Sequence, residues 1–68
     1  LYGDVNADGV VNVTDALLTL QASVGKIAFT DEQTKAGDVN GDTAVNVTDA
    51  LLILQRAVNK INKFPVEG

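Results

Sequence analysis

The sequence predicts a small all-α fold: a duplicated loop–helix domain with two antiparallel main helices and a short connecting helix. Three observations carry this. The string DVNADGVVNVTD at residues 4–15 returns as DVNGDTAVNVTD at residues 38–49. Each copy is followed by apolar residues at helical spacing. The similarity also outruns the strings, because residues 3–27 align on residues 37–61 with 18 identities in 25 positions. The differences are Ala7/Gly41, Gly9/Thr43, Val10/Ala44, Thr19/Ile53, Ala22/Arg56, Ser23/Ala57 and Gly25/Asn59. The offset of 34 residues also suits helical tetratricopeptide repeats, but the Trp, Tyr and Phe that those units place at set positions are missing.

Each element has a local cause. Asn12 is a plausible N-cap for the first main helix, with Asp15 three residues on. Val13, Ala16, Leu17, Leu20, Val24 and Ile27 fall within about 100° of one another around a helix and are expected to face the core. Gly25 is a plausible C-terminal stop. Thr30-Asp31-Glu32-Gln33 has the spacing of a capping box, which predicts a short helix from about Asp31 to Ala36. The second main helix repeats the first, with Val47, Ala50, Leu51, Leu54, Val58 and Ile61 as its stripe. Only three residues precede Asp4 here, and no comparable short helix is expected to enter the first loop. The organisation expected is a single domain: repeat one at 3–27, a linker with the short helix at 28–36, repeat two at 37–61 and a C-terminal segment at 62–68.

Size and composition narrow the chemistry. A core of 68 residues rarely supplies more than about 3–5 kcal/mol, so a fold this small usually adds disulfides, a metal or a partner. There is no Cys and no His, which excludes disulfides and zinc sites of the Cys or Cys/His kind. The net charge is −4, and Asp4, Asp8, Asp15, Asp38, Asp42 and Asp49 supply six of the nine acidic residues. Two divalent cations would neutralise it. The five basic residues are scattered singly, so nucleic acid is not an expected partner. No apolar run approaches a membrane span and no signal peptide is seen, which fits a module cut from a larger chain.

The repeated string has the register D-x-N-x-D-G-x5-D, the calcium-loop pattern of the EF-hand with Asp in place of Glu at position twelve. Calcium takes six to eight oxygens, and no continuous helix or strand converges that many on one point. A loop does. In the first copy, side-chain oxygens are expected from Asp4, Asn6 and Asp8, a main-chain carbonyl from Val10, a direct or water-mediated contact from Asn12, and both carboxylate oxygens of Asp15. In the second copy Asp38, Asn40, Asp42, Ala44, Asn46 and Asp49 take the same roles. Two Ca2+ ions are therefore expected. Thr43 stands where Gly9 provides the sharp turn, and a β-branched residue at positive φ costs roughly 1–2 kcal/mol, which predicts a distorted or weaker second site. Asn12-Val13-Thr14 and Asn46-Val47-Thr48 also read as glycosylation sequons, but both Asn residues are better explained as loop oxygens.

These residues carry a family resemblance. The opening LYGDVN, the duplicated D-x-N-x-D-x-x-V-N-V-T-D loop, the helix after each loop and the terminal INKFPV together resemble a type I dockerin over essentially the whole chain. The resemblance implies two calcium loop–helix motifs packed with approximate two-fold symmetry. It also implies a secreted, non-catalytic adaptor that docks its parent polypeptide onto a cohesin domain of a scaffoldin, typically in a cellulosome that degrades plant polysaccharide. A clasp between the termini is implied as well, involving Leu1 and Tyr2 at the start and Phe64 and Pro65 at the end; as residues alone, Tyr2, Phe29 and Phe64 read equally well as the edge of a core.

Opposite the expected core stripe lie Thr14, Leu18, Gln21, Ala22 and Gly25, with Thr48, Leu52, Gln55, Arg56 and Asn59 in the second unit. A Leu among small and polar residues there fits a partner surface as well as it fits an ordinary exposed leucine. The resemblance favours the former, and it maps Val13-Thr14 and Val47-Thr48 onto a recognition pair that is often Ser-Thr. The expected cohesin-contact residues are thus Val13, Thr14, Leu18, Gln21 and Ala22, with Val47, Thr48, Leu52, Gln55 and Arg56. Positions often occupied by Lys and Arg further along the helix are mainly Leu and Gln here, which points to apolar or hydrogen-bonded contact. The alternative reading is an EF-hand-like calcium buffer or sensor; a sensor would open a Met-rich groove, and there is no Met. An enzyme is not expected, since no acid–base pair remains once the loops are assigned.

Overall fold

The computed structural model describes residues 2–67. Three helices follow in order: α1 (Val13–Ser23), α2 (Asp31–Gly37) and α3 (Val47–Ala57), before a single 3-10 turn at Pro65–Glu67. This is the all-α architecture that the sequence predicts, with α1 packed on α3. No helix among the described residues is long and apolar enough to cross a membrane.

The helix ends are written locally. Asn12 and Asn46 cap α1 and α3, and each cap is reciprocal: the Asn side chain accepts the N–H of Asp15 or Asp49, whose carboxylate accepts the Asn N–H at 2.9 Å. Thr30 and Gln33 close the same box at the start of α2. At the far end of α1 the N–H of Lys26 donates to the carbonyl of Gln21 at 2.9 Å, and that of Gly25 to Ala22 at 3.1 Å. This double bond pattern needs a left-handed residue, and Gly25 has φ 79°. Asn59 takes the same place after α3 with φ 63°, as one of the few non-glycine residues that tolerate it.

The core is a cluster of Ala16, Val39, Ile53 and Phe64, with Val11, Leu52, Ile61 and Val66 packed around it. Here the structure corrects the expected orientation of both main helices. Of the stripe assigned to the interior, only Ala16 and Ala50 are buried; Val13, Leu17, Leu20, Val24 and Ile27 are exposed, as are Val47, Leu51, Leu54 and Val58. Leu17 and Leu51 are each 53% exposed, while Thr19 and Ile53 are fully buried. The cause is the carboxylate at position twelve. Asp15 must fold back over its loop to accept the N–H groups of Val5, Asn6 and Asn12, and Asp49 does the same for Val39 and Asn46. That anchors one face of each helix inward. At about 100° per residue, Leu17 then lies nearly opposite Asp15 while Thr19 lies beside it. Leu18 and Leu52, expected on the outer face, are half-buried, with Leu52 against the core.

The buried pair Thr19/Ile53 leaves one defect. The Thr19 hydroxyl is enclosed with no hydrogen-bond partner. A buried unsatisfied hydroxyl costs about 1–3 kcal/mol. Thr19→Val keeps the shape and removes the hydroxyl, and is expected to stabilise the fold by about 1 kcal/mol in thermal or denaturant unfolding.

The chain ends meet through Phe64, one of the residues expected, but its partner at the start is Gly3. Leu1 lies outside the described residues, and Tyr2 and Pro65 are exposed. Phe64 packs closely on Gly3, where an added Cβ would stand 2.7 Å from the ring. Phe29, half-buried, packs in the same way on Gly37. Each repeat is thus followed by an aromatic ring that packs on the glycine opening the other repeat.

Candidate functional site

Each loop turns its acidic residues onto one point. Carboxylate oxygens of Asp4, Asp8 and Asp15 lie within 4.8 Å of one another, and those of Asp38, Asp42 and Asp49 do likewise. Oxygens around a calcium ion sit at about 2.3–2.6 Å from it, so opposite ligands are separated by about 5 Å. The spacing fits. Three carboxylates held so close also repel one another unless a cation lies among them.

The main chain builds this geometry. The N–H groups of Asp8 and Gly9 donate to the two oxygens of Asp4, at 3.2 and 2.9 Å, and Val10 donates to Asp8 at 3.0 Å. In the second loop Asp42 and Thr43 donate to Asp38 at 3.2 and 2.9 Å, and Ala44 donates to Asp42 at 3.0 Å. Asn6 and Asn40 accept from Asp8 and Asp42, so their oxygens also turn inward. Asn12 and Asn46 are drawn into helix capping, and Asn46 additionally donates to Asp42.

Electrostatics divides the carboxylates into two kinds. Burial holds Asp15 and Asp49 above the ordinary carboxylate value, against the backbone N–H groups that lower it. Asp8 and Asp42 are exposed and are pulled below it, chiefly by the N–H groups of Val10 and Ala44. The sign follows: a carboxyl with a raised pKa supports the fold while protonated and loses that support as pH rises through it. At neutral pH the charged Asp15 and Asp49 therefore oppose folding unless a cation neutralises them.

Thr43 keeps the bond that Gly9 makes in the first loop. Its φ is 68°, and its N–H donates to Asp38 at 2.9 Å as that of Gly9 does to Asp4 at 2.9 Å. The strain is local, and it has a smaller counterpart missed in the sequence: Ala7 has φ 58° at the position where the second loop places Gly41. Each loop thus carries one non-glycine residue in the left-handed region. Thr43→Gly removes about 1–2 kcal/mol of strain and restores part of it as unfolded-state freedom, for a net gain of about 0.5–1 kcal/mol, measurable as a raised Tm in calcium.

A second feature lies between the main helices. An apolar groove of about 320 Å³ is lined by Val13, Leu17 and Leu20 of α1 and by Val47, Leu51 and Leu54 of α3. Ala16 and Ala50 form its floor. The sequence reading assigned the leucines to the core; the signal that would have placed them is the inward requirement on Asp15. Of the expected contact residues, Val13, Thr14, Val47 and Thr48 are exposed on or beside this face, whereas Gln21, Ala22, Gln55 and Arg56 are half-buried and do not line the groove. Gln33, which hydrogen-bonds the first loop, carried no signal in the sequence beyond its cap.

The model of the dockerin type I domain family matches residues 2–62. The chain belongs to the type I dockerin family. Its fold is similar to that of a ScaB dockerin from Acetivibrio cellulolyticus, crystallised with the third ScaC cohesin and mutated in its C-terminal helix; the TM-score is 0.94 at 36% identity, covering 100% of this dockerin and 96% of that chain. A Clostridium thermocellum dockerin in complex with the OlpC cohesin matches with TM-score 0.84 at 39% identity, covering 96% of both chains. The Cel5 dockerin mutant bound to the sixth cohesin of Acetivibrio cellulolyticus scaffoldin B matches with TM-score 0.84 at 30% identity, covering 94% of this chain and 100% of that one. No curated protein matches the chain.

Proposed function

We propose that this dockerin is a non-catalytic adaptor that binds a cohesin of a scaffoldin through the groove face of α1 and α3, with one calcium ion in each loop holding that face in shape. The observation that carries the reading is the groove itself. Soluble domains rarely leave a contiguous aliphatic face open without a partner, and here it lies on a fold shared with dockerins crystallised with cohesins. Its position explains why the recognition face of this chain is aliphatic, with Thr14 and Thr48 at its edge.

The residues proposed to hold calcium are Asp4, Asn6, Asp8, Val10, Asn12 and Asp15, and Asp38, Asn40, Asp42, Ala44, Asn46 and Asp49. Those proposed to meet the cohesin are Val13, Thr14, Leu17, Leu20 and Val24 with Val47, Thr48, Leu51, Leu54 and Val58. Every pair in this face is identical between the repeats, whereas Thr19/Ile53 and Ala22/Arg56, off it, are not. A half-turn of the domain therefore presents almost the same surface again. A calcium requirement suits the millimolar ion outside cells, which supports an extracellular, cellulosome-associated role for the parent chain.

Immobilised type I cohesins, including those of ScaC and OlpC, are expected to retain the chain in calcium and release it in chelator. Retention by none of them, or retention indifferent to chelator, rejects the reading.

A further inference from the structure

The 34-residue repeat runs further in the structure than in the sequence. Thr30-Asp31-Glu32-Gln33 and Phe64-Pro65-Val66-Glu67 stand at that offset and share no residue. Yet Oε1 of Gln33 accepts the N–H of Thr30 at 2.9 Å, and Oε1 of Glu67 accepts the N–H of Phe64 at 2.7 Å. The two turns then act on the same loop position. Nε2 of Gln33 donates to the carbonyl of Val5 at 3.2 Å, and the N–H of Val66 donates to the carbonyl of Val39 at 3.0 Å.

Val5 and Val39 are the second residues of the two loops, and both are buried. Their own N–H groups donate to Oδ1 of Asp15 and of Asp49, at 3.1 and 3.2 Å. Each valine is therefore gripped on both sides: its N–H by the carboxylate that closes the loop, its carbonyl by the turn that follows the same repeat's main helix. Releasing the carbonyl frees the residue that aims the position-twelve carboxylate, and leaves a buried acceptor unsatisfied.

We propose that Gln33, and the turn closed by Glu67, are positioning elements for the first and second calcium loops respectively, each acting on the loop of its own repeat. The proposal rests on the reading that calcium fills both loops. It parallels the way outer partners orient the groups that ligate a metal. The two grips differ in kind, because Gln33 acts by a side-chain amide while the second loop is held by a main-chain N–H.

The test is a chelator titration of the calcium-loaded 68-residue chain, over the range in which its helical signal persists, followed site by site through the NMR amide signals of Gly9 and Thr43. Gln33→Met removes the grip on the first loop and is expected to weaken that site roughly three- to tenfold, with the second within about twofold. Glu67→Met is expected to do the reverse, and Glu67→Gln, which keeps the accepting oxygen, to behave as the parent. Thr30→Ala opens half of the α2 cap but spares the Gln33 amide, and is expected to leave both sites within about twofold. Equal weakening of both sites by Gln33→Met, an effect of Thr30→Ala as large as that of Gln33→Met, or no change in any variant overturns the proposal. If the unsubstituted chain takes up no calcium, the calcium reading fails instead, which the same titration shows directly.

Discussion

Replacing Leu17 and Leu51 together by Asp is expected to abolish cohesin binding while leaving the helices intact. Both side chains line the groove and are half exposed in the free chain, so the substitutions disturb little of the core. In a complex each would bury most of its side chain, worth about 1.5–3 kcal/mol, and an unpaired buried carboxylate adds several more. The combined loss exceeds about a thousandfold in Kd. Because the two leucines flank the same groove, Leu17→Asp alone is also expected to weaken binding strongly, whichever repeat the cohesin engages. Isothermal titration calorimetry against a binding cohesin, with circular dichroism as the folding control, checks both. Tight binding by the double variant would place the interface elsewhere on the molecule.

Chelating calcium is expected to unfold the chain. A core of this size contributes about 3–5 kcal/mol at best. Each ion present at a hundred to a thousand times its Kd adds about 2.7–4.1 kcal/mol, so two ions contribute at least as much as the core. Their removal also leaves Asp15 and Asp49 charged and buried at neutral pH, which opposes folding further. The helical circular dichroism signal is expected to collapse in chelator and return with added calcium. Asp15→Ala should reproduce part of this in one step, since it removes a proposed ligand, the reciprocal cap of α1 and the acceptor for Val5 and Asn6 together. A spectrum indifferent to chelator would show that the loops are ordered without the ion.

Much of this molecule was legible in its sequence because much of it is local. Capping boxes at Asn12, Thr30 and Asn46 span three residues each, and the left-handed stop at Gly25 depends on a single φ. The loops are local too, since twelve consecutive residues converge their own oxygens. The short helix was expected from Asp31 to Ala36 and forms over Asp31–Gly37. Helix rotation was not legible from periodicity. A stripe of Val13, Leu17, Leu20 and Val24 shows that one face is apolar, but an apolar face serves a core and a docking site equally well.

By itself the sequence determined the duplicated loops, the helix boundaries and the family to which the chain belongs, all of which rest on local patterns. Only the tertiary structure decided which face of each helix turns inward: within its own loop Asp15 or Asp49 reaches back to Val5 or Val39, but that this face meets a core of Ala16, Val39, Ile53 and Phe64 depends on packing between distant parts of the chain. Once those carboxylates are anchored, Thr19 and Ile53 must lie inside and the leucines must lie out. Contacts between distant parts of the chain also tied Phe64 to Gly3 and Gln33 to Val5, partners that no pattern of spacing brings together.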